Sequence, residues 1–543
     1  MKEYIKLFLA LLFIFLLYAA IMHFIKNPEI QNLPYYTFRT LLRISITYII
    51  SLAVGVFCGI LAATNKTASK ILVPIFDIGQ SIPILGYFPA AILFLVALFN
   101  GAEIGLELAA IFLLFTSMEW AIFFGVIGAV KSIPSNIVEA AKIFGLKGLD
   151  YIKHVVLPAI TPALIAASTL AWGDGWFFMI ASEYISYGGK SYALPGLGSY
   201  LAKAAYEYGD LNLAVVLLIL ITFIVVIINH FTWHKLTERA SALGYKPIFK
   251  FPTPDKKIQK RAWLHFPKFY LRQKIIFPVK FGEYTKTQKI FTIAVISLLI
   301  FSFIFFFYHS IPTISAITKS LFVPELSQLP IYILLTMTRL TIAFVISLVI
   351  AIAMGILAAE NNKFAMIFFP LYDIGQSIPI LALFPIIFIY LSKIFGGTLG
   401  LEITAIIMLV ADMIWYMFLN IVSAIKTIPK DTKEVSKLFG LKGWERIKHI
   451  ILPAIIPAIV TGSILSWATG WNTVIFAEYM PYGKEVLSLS GLGSFLDRTA
   501  YEQGNTILLI FLLFIISSIV ILMENLIWKK LLEKCEKYET VEV

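Results

Sequence analysis

The sequence consists of two similar halves, and each half is a series of apolar runs separated by short polar segments. An offset of 296 residues aligns TLLRISITYIISLAVGVFCGILAATNK, which begins at Thr40, with TMTRLTIAFVISLVIAIAMGILAAENN, which begins at Thr336. Apolar runs of about 18 or more residues recur in both copies, enough to cross roughly 30 Å of hydrocarbon as a helix. An internal repeat of this kind means that the chain builds one fold twice.

The composition agrees with a chain that crosses a membrane many times. Hydrophobic residues make up 59% of the 543 residues and charged residues only 14%, whereas a soluble protein carries about 25% charged residues. We therefore predict an all-α polytopic membrane protein with about 12 transmembrane helices in two six-helix repeats. The helices are predicted near 7–24, 40–62, 82–99, 104–129, 157–181 and 210–233, and near 290–309, 335–358, 377–396, 399–424, 452–476 and 505–528.

The chain divides at its most basic segment. We predict a first repeat over 1–233, a basic cytoplasmic linker over 234–289, and a second repeat with a short cytoplasmic tail over 290–543. The linker holds fourteen Lys and Arg against three Asp and Glu, which places it in the cytoplasm by the positive-inside rule. It is expected to contact lipid headgroups rather than nucleic acid. An even number of helices per repeat makes the repeats parallel and puts both termini in the cytoplasm.

One polar segment occurs in both halves between apolar runs. The first polar segment, Glu139 to Pro158, shares twelve of twenty positions with the second polar segment, Glu434 to Pro453. Ser132 and Pro134 predict the start of a short helix over 136–144. A left-handed cap is then predicted at Gly145 and a second bend at Gly148, before a second short helix over 149–154 that leads into the next membrane helix.

The spacing within these segments resembles the EAA signature of binding-protein-dependent ABC transporter permeases. Its order is Glu-Ala-Ala, three residues, Gly, nine residues, an aliphatic residue, one more residue, and Leu-Pro. The matching residues are Glu139, Ala140, Ala141, Gly145, Val155, Leu157 and Pro158 in the first segment, and Glu434, Gly440, Ile450, Leu452 and Pro453 in the second. The sequence departs from the pattern at Val155, where isoleucine is usual, and at Val435-Ser436, which replace Ala-Ala.

The resemblance carries expectations about function and partners. It implies an inner-membrane component of a type I importer with both membrane halves fused in one chain. Each segment would dock on one of two cytoplasmic ABC ATPase subunits, which bind the ATP, and an extracytoplasmic binding protein would deliver the substrate. The chain itself would be no enzyme, hold no cofactor, and reside in the cytoplasmic membrane. The Gln-x-Ile-Pro runs at Gln80 and Gln376, with the later acids and Gly-Leu-Gly, are most similar to the nitrate, sulfonate and taurine branch.

Acids and tryptophans that occur in both repeats are candidates for a transport pathway, because ionisable residues in membrane helices are costly. Glu183 and Glu478, with Trp176 and Trp471, are the candidates. For the two glutamates a pathway role and a scaffold role are equally open, and the tryptophans are equally suited to packing. Asp77 and Asp373 are predicted to cap the third helix of each repeat.

A secondary carrier and a membrane enzyme are the alternatives to a permease. Two parallel six-helix halves also describe a secondary carrier, although the polar loop ATNKTASK lacks the acidic and arginine-rich pattern expected there. ATP-independent uptake driven by an ion gradient would favour that alternative. The sequence contains no cluster of His, Asp or Glu with metal or catalytic spacing, and only two cysteines, so no catalytic or metal site is predicted.

Overall fold

The computed structural model describes residues 28–99, 103–187, 190–236, 324–377, 380–428 and most of 432–535. The predicted helices near 7–24 and 290–309 lie outside the described residues, as do nearly all of the predicted linker and the end of the tail. The bounds of the three predicted domains therefore stay a prediction.

Both halves are almost entirely helical, and their elements follow one order. The first half contains α1 (Leu33–Thr64), α2 (Lys66–Ser81), α3 (Ile84–Leu98), α4 (Glu103–Lys131), α5 (Ser135–Ile143), α6 (Gly148–Glu183), α7 (Leu197–Ala202) and α8 (Leu211–Ile228). The second half contains α9 (Leu329–Glu360), α10 (Asn362–Ser377), α11 (Ile380–Phe395), α12 (Gly397–Thr427), α13 (Gly443–Glu478), α14 (Leu492–Arg498) and α15 (Thr506–Met523).

Eight helices among the described residues are long and apolar enough to cross a membrane, four in each half. They contain the predicted second, fourth, fifth and sixth helices of both repeats. The predicted third helices are present as α3 and α11, but with 15 and 16 residues they are shorter than an ordinary span. The all-α polytopic class is confirmed, and the total of twelve spans stays a prediction.

Helices α2 and α10 were missed by the sequence analysis, which treated these stretches as loops. Each begins at an asparagine cap: the Oδ1 atom of Asn65 accepts hydrogen bonds from the amides of Thr67 and Ala68, at 2.8 and 3.2 Å. Asn361 makes the equivalent bonds in the second half. Such caps satisfy amides that a helix start leaves without partners.

The prediction that Asp77 and Asp373 cap the third helices is wrong. Both residues lie inside the missed helices α2 and α10. The helix that follows α2 has Pro83 at its N-cap. The error arose because the preceding stretch was not recognised as a helix, so both residues were placed in a loop before the third helix.

Close packing within each half centres on one helix. Helix α4 packs against both α1 and α6, and α12 packs against both α9 and α13. Glycines permit the approach: a Cβ atom on Gly55 would lie 2.7 Å from Ile122, and one on Gly355 would lie 2.7 Å from Ile421. Small residues at helix contacts are how membrane helices gain packing energy without a hydrophobic driving force.

The two halves pack on each other reciprocally. Helix α3 contacts α13 and α15 of the other half, and α11 contacts α6 and α8 in the matching way. One direct bond across this interface joins the amide of Ile84 to the side-chain oxygen of Asn472, at 2.7 Å. Reciprocal contacts are what two parallel repeats around a pseudo-two-fold axis produce.

A short β-hairpin follows α6 in the first half and α13 in the second half. Strands β1 (Tyr184–Tyr187) and β2 (Lys190–Ala193) pair in antiparallel register, as do β3 (Tyr479–Tyr482) and β4 (Glu485–Ser488). The polar segments lie at the other ends of α6 and α13. The hairpins and the polar segments therefore lie at opposite ends of helices that are about 54 Å long, from 36 residues at 1.5 Å each.

Candidate functional site

Glu183 ends α6 and is the centre of a buried polar cluster, the first node, made of Thr40, Arg43, Glu107 and Glu183. The Glu183 side chain is 1% exposed. Its carboxylate accepts hydrogen bonds from Thr40 Oγ1 at 2.7 Å and from the Arg43 guanidinium. Arg43 also holds Glu107 with two bonds of 2.8 and 2.9 Å. The node therefore joins α1, α4 and α6 at one point.

The second node, Thr336, Arg339, Glu402 and Glu478, repeats this geometry. Glu478 is fully buried and accepts bonds from Thr336 and from Arg339, each at 2.7 Å. Arg339 donates two further bonds to Glu402, at 2.5 and 2.6 Å. Charge-assisted, bidentate pairs of this type are the stronger class of hydrogen bond.

The Gly-Leu-Gly motif belongs to the node. The amides of Gly198 and Ser199 donate to Glu183 at 2.7 and 3.4 Å. A Cβ atom on Gly196 would lie only 2.1 Å from the Glu183 carboxylate. A Cβ atom on Gly491 would likewise lie 2.1 Å from the Glu478 carboxylate. The acid and the glycines, which the sequence analysis noted separately, thus form one structural unit in each half.

The four candidate pathway residues are all enclosed in this conformation. Glu183 and Glu478 are bonded in the nodes, and Trp176 and Trp471 are 1% and 2% exposed in the core. This geometry favours the scaffold reading for the glutamates, and a role in the pathway stays a prediction.

One acid beside the second node has no equivalent in the first half. Asp497 is 1% exposed, and neither carboxylate oxygen has a hydrogen-bond partner; Ala202 stands at the corresponding position. Burial, with the nearby Glu478 carboxylate, raises the pKa of Asp497 well above its usual range.

A further polar group lies halfway along the membrane helices, where the halves meet. Asp412 of α12 is 4% exposed and accepts a 2.5 Å bond from Thr473. Asp174 of α6 lies close to Asp412 and to Tyr416. Neither Asp174 nor Asp412 was among the predicted pathway residues, although a single acid in an apolar run is a signal of function.

The first polar segment has the predicted backbone. Helix α5 ends at Ile143, and the amide of Leu146 donates to the carbonyl of Ala141 at 3.0 Å, as in a Schellman cap. Gly145 and Gly148 have φ values of +73° and +56°, a region that favours glycine. Both predicted glycine bends are confirmed. The predicted Ser132 cap is wrong, because its hydroxyl donates backward to the Ala129 carbonyl and Pro134 occupies the N-cap.

The second polar segment repeats the turns. Gly440 and Gly443 have φ values of +68° and +53°, and the amide of Leu441 donates to the Ser436 carbonyl at 3.0 Å. In both halves the predicted second short helix continues without a break into the membrane helix, through a π-helical turn at Ile152–Val156 and at Ile447–Ile451. Pro158 and Pro453 lie directly after these turns. Each polar segment is thus continuous with a membrane-spanning helix.

The outward faces of the polar segments are apolar. The first apolar triad, Ile143, Phe144 and Leu149, is 81–83% exposed. The second apolar triad, made of Leu438, Phe439 and Trp444, is 69–86% exposed. Glu139 and Glu434 are also exposed, whereas Ala141 and Ser436 are buried against the protein. Large apolar side chains that are exposed together indicate a contact surface, either for another protein or for the lipid headgroups.

The described residues contain no group of three or more His, Cys, Asp or Glu side chains that could hold a metal ion. They include every candidate residue named above.

Comparison with known proteins gives a family and several relatives. The family described as "Binding-protein-dependent transport system inner membrane component" matches residues 55–239 and 351–533, which is more than half of the chain. A nitrate import permease of Leptolyngbya laminosa is 26% identical over 190 residues, 35% of this chain and 63% of the relative. A bicarbonate transport permease of Synechococcus elongatus is 28% identical over 188 residues, 34% of this chain and 63% of the relative.

A nitrate import permease of Synechococcus elongatus is 25% identical over 171 residues, 32% of this chain and 56% of the relative. Each of these alignments therefore covers less than two thirds of the relative's own length. The family match, by contrast, occurs twice in tandem, once in each half.

Proposed function

The chain belongs to the family of inner-membrane components of binding-protein-dependent transport systems, and we propose that it is the complete membrane unit of an ATP-driven importer, with both halves fused. The family is that of ABC transporter permeases, which span the membrane several times and are not themselves catalytic. In this proposal ATP is bound and hydrolysed by two separate ATPase subunits in the cytoplasm. An extracytoplasmic protein binds the substrate and delivers it.

The observation that carries the proposal is the duplicated pair of exposed apolar triads. A permease that is driven by two ATPase subunits needs two equivalent docking surfaces on one face. Phe144 and Phe439, each flanked by further exposed apolar side chains, supply a surface of that kind in each half. We infer that Glu139 and Glu434 lie at the edge of these contacts and pair with basic groups of the ATPase.

In this proposal, motion of the ATPase reaches the membrane through the helices that are continuous with the triads. Each triad is fixed by left-handed glycine turns and leads directly into α6 or α13. A displacement of the triad would therefore move a helix whose far end is held in a node by the hydrogen bonds of Glu183 or Glu478. In this proposal the polar segments, the linker and both termini lie in the cytoplasm, and the hairpins face the binding protein.

The relatives suggest which substrates to test first. One is a nitrate import permease and another a bicarbonate transport permease, and the sequence resembles the branch that also handles sulfonates. We propose a small polar solute, with these oxyanions as the first probes. Asp412 lies midway along α12 and Asp174 of α6 lies close to it, so an anion that passes between the halves at this level would come near both acids.

The proposal predicts that uptake into cells that express the chain with its partner genes requires ATP. Nitrate, bicarbonate and a small sulfonate are supplied as isotopically labelled probes, and the ion gradients are collapsed with ionophores while ATP is maintained. Uptake of at least one probe is expected to continue under these conditions and to stop when ATP is depleted. Uptake that follows the ion gradient and ignores ATP would support the secondary carrier instead.

A further inference from the structure

The second polar segment carries an ion pair that the first segment cannot form. Arg446 lies in the first turn of α13, and Glu360 is the last residue of α9. Arg446 Nη1 donates to Glu360 Oε2 at 2.7 Å, and Arg446 Nη2 donates to Glu360 Oε1 at 3.2 Å. The pair is therefore bidentate, the geometry in which a guanidinium fixes a carboxylate most specifically.

The corresponding positions in the first half are uncharged. The offsets that align the halves place Tyr151 opposite Arg446 and Thr64 opposite Glu360. Thr64 directs its hydroxyl to its own helix, where it donates to the Ile60 carbonyl at 2.7 Å. The ion pair is therefore a difference between two segments that are otherwise nearly identical.

The location of Glu360 is unfavourable unless a cation is present. A carboxylate at the C-terminal end of a helix is repelled by the negative end of the helix dipole. Arg446 offsets that repulsion and at the same time joins the ends of two membrane helices. Because the two side chains remain 24% and 32% exposed, the pair contributes little to overall stability. Its main consequence is positional.

We propose that Arg446 is a positioning residue that ties the second polar segment to α9 through Glu360, so that the two segments pass ATPase motion unequally into the membrane. This inference rests on the proposed function, in which an ATPase docks on each segment. Motion at the second triad moves α13 and α9 together, whereas motion at the first triad enters the membrane through α6 without a charged link to α1.

The experiment uses the chain purified with its ATPase, with ATP and vanadate as the probe. Spin labels at Gln31 and Ser327, which are exposed residues near the starts of α1 and α9, report the distance between the halves. In the Arg446→Ala and Glu360→Ala variants we expect the ATP-induced change in this distance to be smaller than in the unmodified chain, because α9 is then no longer tied to α13. The distance without ATP and the amount of co-purified ATPase are expected to stay as in the unmodified chain.

Two further variants test whether the pair itself is responsible. The exchange Arg446→Glu with Glu360→Arg restores the opposite charges and is expected to restore most of the ATP-induced change. Lys363→Ala removes an exposed cation three residues beyond Glu360 and is expected to have no effect. A normal ATP-induced change in Arg446→Ala, or an exchanged pair that fails to restore it, would overturn the inference.

Failure of the inference can be told apart from failure of the proposed function. If the unmodified chain co-purifies with no ATPase, the proposed function is wrong and the ion pair has nothing to transmit. If the ATPase is bound and hydrolyses ATP in every variant while the distance change stays the same, only the inference about Arg446 is wrong.

Discussion

Replacing Phe144 and Phe439 together by aspartate is expected to release the ATPase from the chain while the chain stays folded in the membrane. Both side chains are about four-fifths exposed, at 81% and 78%, so the change costs the fold little, within about 0.5 kcal/mol. In a docked complex the new carboxylates would be buried without partners, at roughly 3–5 kcal/mol each. Binding should therefore weaken by about 100-fold or more, measured as ATPase retained during purification.

A matched control is available in the same helix. Asn136→Asp adds a carboxylate to α5 at an exposed position, and the second half naturally has Asp431 there. This variant is expected to retain most of the ATPase. If Phe144→Asp with Phe439→Asp retained the ATPase as well as the control does, the apolar triads would not be the docking surface.

The second large effect is expected at the nodes, where Glu183→Gln should strongly destabilise the chain. Arg43 is 3% exposed, and removing a charged partner from a buried pair costs about 3–5 kcal/mol. Glu107→Gln removes a carboxylate whose side chain is 22% exposed in the same node, so its loss should cost less. Thermal unfolding of the purified chain in detergent, with Glu478→Gln and Glu402→Gln as the second pair, measures the difference.

Glycine variants test the packing of the node without changing its charge. Gly196→Ala places a Cβ atom 2.1 Å from the Glu183 carboxylate, whereas Gly128→Ala meets nothing within 4 Å. The first is expected to unfold at a markedly lower temperature and the second at nearly the normal one. If Glu183→Gln were as stable as the unmodified chain but slow in uptake, Glu183 would belong to the transport pathway rather than to the scaffold.

Features that depend on neighbouring residues were largely predictable from the sequence. The left-handed turns at Gly145 and Gly440 follow from glycines placed after a short helix, and both are present. Each of the eight spans contains a helix predicted from a long apolar run, although four of them begin several residues before the predicted start. Asn65 and Asn361 could also have been recognised as helix caps from the sequence. The starts of α2 and α10 would then have been predicted.

Features that depend on contacts between distant parts of the chain were not predictable. Arg43 and Glu183 are separated by 140 residues, and no local pattern indicates that they pair. The sequence could therefore not decide between a scaffold and a pathway for Glu183. The ion pair of Arg446 with Glu360 spans 86 residues and was missed for the same reason, as was the reciprocal packing of α3 and α11 on the opposite halves.

The most direct test of the central claim is to purify this chain from its native membrane in mild detergent and to identify the proteins that accompany it. The account predicts a soluble ATPase at two copies per chain, lost when Glu139 and Glu434 are both replaced by lysine. A chain that purifies alone, and that still transports in vesicles without ATP, would contradict the account.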